Sequence, residues 1–245
     1  GSSPLCRVYS SITHDDNQHR RTRTVTTPHI PLRLKGHTMT TMLPHLNVLH
    51  VHAPDGHETF GFDQEWYGQL WRRRAGCGPT TAANLLTYLH RAGQLLLPDT
   101  IDPAKPLELM NFCWNYVTPT MRGLNTPQLF RDGANRLLNA IGSKLRAHML
   151  AVSKDASLRP TVVQAAAFVR AGLVAQSPVA FLNLCNGREQ QLDAWHWVTV
   201  LGMEESNTCT LHILDNTVQL RVDLPLWLAT TTRGGGFVYL AKEER

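Results

Sequence analysis

The chain has 245 residues, of which 42% are hydrophobic and 18% are charged, and it carries a formal net charge of +5. This composition excludes a disordered chain, and the length fits one domain with room for an additional arm. The mild excess of positive charge is compatible with an acidic partner but does not require one.

Cysteine usage and hydropathy bear on the cellular compartment. The 5 cysteines are widely spaced and odd in number, which argues against a disulfide scaffold in a chain of this size. The sequence has no run of about 18 apolar residues, and its first residues form no apolar signal core. We therefore expect reduced thiols, a cytoplasmic location and no membrane partner.

Residues 1–45 differ in composition from the rest of the chain. They are rich in threonine, histidine and arginine and show little apolar periodicity. Segments of this kind bury too little apolar surface to fold alone. We interpret residues 1–45 as a flexible or extended arm and residues 46–245 as the folded domain.

The first half of the folded part is predicted to be mainly helical. A short strand is indicated near Val48, and apolar residues then recur at helical spacing after Pro79. Three further helical patterns are present at residues 106–117, 125–143 and 159–172.

The second half changes to short β-rich runs separated by turn residues. These runs read SPVAFLNL, HWVTVLGM, CTLHILD, VQLRVDL and GFVYLAK. Helices followed by strands predict an α+β domain with an antiparallel sheet.

The segment "GCGPTTAANLL" places Cys77 between two glycines at the start of a helix. We predict that this helix starts at Pro79, which suits the first helical position. Free N–H groups and the helix dipole favour a thiolate there, and the thiolate is the nucleophilic form of cysteine. The flanking glycines leave room for the approach of another chain. A buried structural cysteine beside a tight turn is the alternative interpretation.

A nucleophilic cysteine needs a base and a group that orients the base. His196 begins a strong strand pattern in "AWHWVTVLG", where alternation separates it from the neighbouring tryptophans. Asp215 ends the following strand pattern in "LHILDN", so a hydrogen bond between adjacent antiparallel strands is expected. Asn216 and Asp193 are alternative orienting groups, and Asp-Asn is also common turn chemistry.

These three motifs, in this order, resemble the papain-like cysteine peptidase superfamily over about residues 58–241. The likeness is greatest to the branch of bacteriocin-processing peptidases that cleave double-glycine leaders. The resemblance implies a papain-like fold, with the nucleophile helix packed against the C-terminal sheet, and a Cys77–His196–Asp215 triad. It implies no cofactor and no metal.

The same resemblance implies a glutamine before the cysteine that helps to bind the oxyanion. The family's usual position, a handful of residues before the cysteine, is occupied here by Trp71. Gln64 and Gln69 are the available candidates, and Gln64 is preferred because Gln69 would require a loop at its position.

The implied function is a thiol-dependent peptidase or amidase that acts on a peptide or protein substrate. Acyl transfer, deamidation and an inactive papain-like binding module remain alternatives. A metal site at Cys209 and His212 has too few closely spaced ligands. The arginine run 72–74 has no interleaved aromatic residues, so specific nucleic-acid binding is not expected. The sequence gives no indication of oligomeric state.

Overall fold

The computed structural model describes residues 38–243, which belong to a folded unit that starts at Thr38. The helices are α1 (Leu70–Ala75), α2 (Cys77–Arg91), α3 (Pro106–Tyr116), α4 (Pro127–Ala140), α5 (Val162–Val174) and α6 (Leu224–Thr230). The strands are β1 (Met39–Met42), β2 (His50–His52), β3 (Glu58–Phe60), β4 (Leu145–Val152), β5 (Val179–Asn183), β6 (His196–Glu205), β7 (Cys209–Asp215), β8 (Val218–Asp223) and β9 (Gly235–Lys242). The predicted α+β class is confirmed.

Seven of these strands form one sheet, in the order β4-β9-β5-β6-β7-β8, with β1 paired to β6. Every pairing in this sheet is antiparallel, as the second half of the sequence predicts. Strands β2 and β3 form a separate two-stranded sheet. The five predicted β-rich runs correspond to β5 through β9.

The folded unit begins earlier than the predicted boundary at residue 46. Met39–Met42 form β1, which pairs with the end of β6, where Met42 lies opposite Gly202. A side chain at Gly202 would collide with the sulfur of Met42. Because glycine has no side chain, the two strands can approach each other. The remainder of the predicted arm, residues 1–37, lies outside the described residues.

Helices cover both faces of the sheet and create two hydrophobic clusters. One cluster packs α2, α3 and α4 against alternate strand residues such as Ala180 and Leu182. The other packs α5 and α6 against the opposite strand positions, including Val179 and Phe181. This alternation follows from the period of two in a β-strand.

Helix α2 is more deeply buried than the sequence predicts. Its apolar spacing indicates one buried face, whereas every residue from Gly78 to Leu89 is buried. The helix lies between α3 on one side and strands β5 and β6 on the other. The sheet therefore fixes the position of the residue at which this helix begins.

Candidate active site

Cys77 is the first residue of α2, so the helix begins two residues before the predicted start at Pro79. Helix α1 ends immediately before it, and Gly76 joins the two helices with helical backbone angles. A side chain at Gly76 would collide with the carbonyl oxygen of Arg72 and the ring of Tyr67. Cys77 is half-buried against the first hydrophobic cluster, which leaves part of its surface accessible.

His196 and Asp215 meet at one end of two adjacent strands of the main sheet. His196 is the first residue of β6, Asp215 is the last residue of β7, and the two strands are antiparallel neighbours. The Nε2 atom of His196 lies 2.6 Å from Oδ1 of Asp215. Both side chains are largely buried, with exposed fractions of 13% and 14%.

The thiol of Cys77 interacts with the same imidazole. Burial alone would lower the pKa of His196, but hydrogen bonds to Asp215 and to Cys77, together with their charges, raise it to about 10. Because Nε2 faces the carboxylate, Nδ1 is the ring nitrogen that remains for the sulfur. The structure thus brings together three predicted residues from one helix and two strands, and it favours a protonated ring at neutral pH.

The turn after β7 carries a second orienting contact. Asn216 has a positive φ of 50°, a conformation that asparagine adopts more readily than most residues. Its Nδ2 donates to Oδ1 of Asp215 at 3.2 Å, so this carboxylate oxygen contacts both Asn216 and His196. Asn216 therefore supports Asp215 and does not replace it as the partner of the imidazole.

Gln64 lies beside this turn, at the start of the 3₁₀ helix Gln64–Trp66. Its backbone N–H donates to Oδ1 of Asn216 at 3.2 Å. The Oε1 atom of Gln64 is buried and accepts no hydrogen bond from the described residues. A polar side chain without such a partner beside the triad is available to interact with another molecule.

Gln69 is placed differently. It is exposed and precedes α1, where its carbonyl oxygen accepts from the N–H of Arg73 at 3.0 Å. No contact among the described residues ties its side chain to His196 or Asp215. Of the two predicted candidates, Gln64 is the one whose segment contacts the turn after Asp215, through its backbone N–H.

A buried hydrogen bond that the sequence analysis missed joins the elements that carry Cys77 and His196. Asn84 in α2 donates from Nδ2 to Oγ1 of Thr199 in β6 at 3.0 Å. Its Oδ1 accepts from the N–H of Phe62 at 3.2 Å, close to Gln64. Asn84 thus links three segments of the site. The signal available in the sequence was an amide within an apolar helix, because a buried amide requires hydrogen-bond partners.

The residues around His196 also differ from the expectation. Trp197 is buried and donates to the carbonyl oxygen of Leu124 at 2.7 Å, whereas Trp195 is exposed. Trp195 precedes β6 and has a positive φ of 59°, so strand alternation does not apply to it. The carbonyl oxygen of Asp193 accepts from Nδ2 of Asn183 at 2.8 Å, which places Asp193 in the loop before the site.

The other three described cysteines lie in different environments. Cys113 and Cys209 are buried, and burial raises the pKa of both thiols. Burial acts in the same direction on Cys185, but hydrogen bonds involving Thr232 and Gly187 and the charge of Arg233 outweigh it and lower the pKa. Cys185 is therefore the thiol that must be separated from Cys77 in any labelling experiment.

The alternative metal and nucleic-acid sites find no support in the structure of the described residues. Within residues 38–243 no group of three histidine, cysteine or acidic side chains could hold a metal ion. His212 instead hydrogen-bonds Glu204 at 3.0 Å. In the arginine run, Arg72 lies over the ring of Trp114 at 4.9 Å and contacts Asn111, so it is engaged inside the protein.

The helices between residues 38 and 243 were also compared with the requirements of a membrane span, and none is both long and apolar enough. Comparison of the whole sequence with models of known families and with curated proteins finds no match.

Proposed function

We propose that the protein is a thiol-dependent hydrolase of the papain-like type, which cleaves a peptide or amide bond with Cys77 as nucleophile. The observation that carries this proposal is the convergence of Cys77, His196 and Asp215 from α2, β6 and β7. A nucleophile, a base beside it and a carboxylate that orients the base are the components of a catalytic triad.

The first half of the reaction forms a thioester. The sulfur of Cys77, as a thiolate paired with the His196 imidazolium, attacks the carbonyl carbon and forms a C–S bond. The oxyanion accepts hydrogen bonds from the backbone N–H of Cys77 and the side-chain amide of Gln64. His196 then gives its proton to the leaving nitrogen, and the C–N bond breaks.

The second half releases the acyl group. Neutral His196 takes a proton from water, and the resulting hydroxide equivalent attacks the thioester carbonyl. The C–S bond breaks, and the sulfur leaves as a thiolate beside the reprotonated ring. Asp215 keeps Nε2 of His196 hydrogen-bonded throughout, which fixes the ring orientation and stabilises its positive charge.

The arrangement of elements supports the papain-like assignment. The nucleophile helix α2 packs against β5 and β6 of an antiparallel sheet. The histidine and the aspartate occupy the ends of adjacent strands, as the resemblance of the sequence implies. Gln64 precedes the cysteine in the chain and contacts the turn after Asp215, which suits an oxyanion-binding role.

Acyl transfer and deamidation use the same three residues and differ in the acceptor or in the leaving group. An inactive binding module is opposed by the retention of all three residues, with Cys77 and Asp215 both acting on the His196 imidazole. The distinguishing experiment incubates the wild-type chain and Cys77→Ala with a random peptide library and identifies the products by mass spectrometry. New peptide termini that require Cys77 support hydrolysis, conversion of glutamine to glutamate supports deamidation, and no product from either chain overturns the proposal.

A further inference from the structure

Trp195 is an exposed aromatic residue directly before the proposed catalytic histidine. It is 46% exposed and has a φ of 59°. A bulky residue rarely adopts a left-handed backbone conformation. Such a conformation persists only where the surrounding structure enforces it. The adjoining backbone is held, because the carbonyl oxygen of Asp193 accepts from the buried amide of Asn183 and β6 begins at His196.

Arg233 adds a positive charge to this surface. Its guanidinium carbon lies 5.5 Å from the centre of the Trp195 ring. The two glycines that follow, Gly234 and Gly235, have φ values of 68° and 150° and lie against carbonyl oxygens of Val152 and Leu182. A side chain at either glycine would collide with these oxygens, so this loop is closely packed at the base from which Arg233 projects.

The charge of Arg233 is not neutralised by a carboxylate within residues 38–243. Ion pairs elsewhere in this part of the chain occupy Arg170 with Glu205 and Arg221 with Glu204, but none includes Arg233. Besides the Trp195 ring, its charge acts on the thiol of Cys185. An exposed guanidinium stacked on an aromatic ring is suited to bidentate binding of a carboxylate.

The position of the pair relative to His196 defines the side of the substrate that it would contact. In the proposed reaction His196 gives a proton to the leaving nitrogen, so the leaving segment lies against this ring. Trp195 adjoins His196 in the chain, and Arg233 packs on Trp195. Asn183 pairs with both His196 and Gly235, so the segment that carries Arg233 lies at the same end of the sheet as His196, where a leaving segment that extends past the imidazole would reach both side chains.

We propose that Trp195 and Arg233 form a subsite for an acidic side chain of the substrate on the leaving-group side of the cleaved bond. The carboxylate binds the guanidinium of Arg233, and the methylene groups of the acidic side chain pack on the indole of Trp195. This inference depends on the proposed hydrolase function, because that function defines the leaving-group side.

The test uses peptides selected for cleavage by the wild-type chain, each made with glutamate or glutamine at the positions after the cleaved bond. Because an exposed ion pair is screened by solvent, the wild-type chain should prefer glutamate by about two- to fivefold in kcat/KM. Arg233→Ala should lose this preference, and Arg233→Glu should shift it toward lysine. Lys144→Ala, which removes a charge at the opposite end of β4, is the control and should retain it.

A binding measurement separates failure of the subsite from failure of the hydrolase. Two proteins, Cys77→Ala and the double variant Cys77→Ala/Arg233→Ala, are each titrated with the glutamate and the glutamine versions of the peptide library. Tighter binding of glutamate peptides that depends on Arg233 supports the subsite even if no cleavage occurs, a result that would overturn only the hydrolase. Equal binding of the two versions, or a preference that survives Arg233→Ala, overturns the subsite even if cleavage occurs.

Discussion

Asn84 donates a hydrogen bond to Thr199 inside the protein, across a distance of 3.0 Å, and both side chains are almost completely shielded from water. This bond joins the helix that begins at Cys77 to the strand that begins at His196. It therefore contributes to the distance between sulfur and imidazole as well as to stability.

Replacement of Thr199 by valine keeps the shape of the side chain but leaves Nδ2 of Asn84 without its acceptor. We expect the free energy of unfolding to fall by about 1–3 kcal/mol, the cost of an unsatisfied buried polar group. We also expect slower alkylation of Cys77. Ser177→Ala is the matched control, because this buried hydroxyl accepts from Leu240 away from the site and its loss should leave the alkylation rate unchanged. Equal effects of both variants on Cys77 would contradict the positioning role.

Asp215→Asn should change how stability depends on pH. The pKa of His196 is raised from 6.5 to about 10 in the folded protein, so its contribution to stability is complete below pH 6.5 and is lost as pH rises through about 10. Removing the carboxylate charge reduces that rise, so the stability difference between wild type and variant should be largest near pH 6 and small above pH 10. Urea unfolding across this range measures it. Asp132→Asn removes a carboxylate from an exposed pair with Arg131, and its stability difference from wild type should not shrink between pH 6 and pH 10.

Gln64→Ala and Gln69→Ala distinguish the two predicted glutamines. Loss of one oxyanion donor typically lowers kcat by about a hundred- to a thousandfold. Gln64 contacts the turn after Asp215, whereas Gln69 is exposed before α1. We expect a loss of that size for Gln64→Ala and less than a threefold change for Gln69→Ala. A larger loss for Gln69→Ala than for Gln64→Ala would contradict the assignment of the oxyanion contact to Gln64.

Gly76→Ala tests the approach between α1 and α2. The new methyl group would collide with the carbonyl oxygen of Arg72 and the buried ring of Tyr67. We expect destabilisation of about 1–3 kcal/mol, the usual cost of overpacking, and reduced reactivity of the adjacent Cys77. Gly68→Ala is the control, since nothing lies near its missing side chain. Calorimetric melting curves should shift downward for Gly76→Ala alone.

The sequence predicted the components of the site better than their support. Cys77, His196 and Asp215 could be found because local signals mark each of them: a glycine-flanked helix start, a strand start and a strand end. The amide of Asn84 within an apolar helix indicates that it needs hydrogen-bond partners, but nothing local identifies Thr199, which is far away in the chain. The same holds for Gln64, whose link to Asn216 depends on how two distant turns meet.

Two features of the fold were missed for different physical reasons. Strand β1 lies in a threonine-rich segment without apolar alternation, and its pairing with β6 depends on the absence of a side chain at Gly202, whose place Met42 fills. Trp195 occupies a left-handed conformation that a bulky residue seldom adopts, so alternation extended from β6 gave it the wrong surroundings. In both cases tertiary contacts determined the outcome, and local preference did not.

The most direct test measures the rate at which iodoacetamide labels each cysteine at pH 6, with peptide mapping, in wild type, Cys185→Ala and His196→Ala. Ordinary thiols have a pKa near 8.5 and react slowly at this pH. A thiolate held beside the His196 imidazolium predicts that Cys77 reacts faster than every other cysteine, with or without Cys185, and that His196→Ala removes this advantage. Labelling of Cys77 no faster than the others, or at the same rate in His196→Ala, would contradict the thiolate–imidazolium pair.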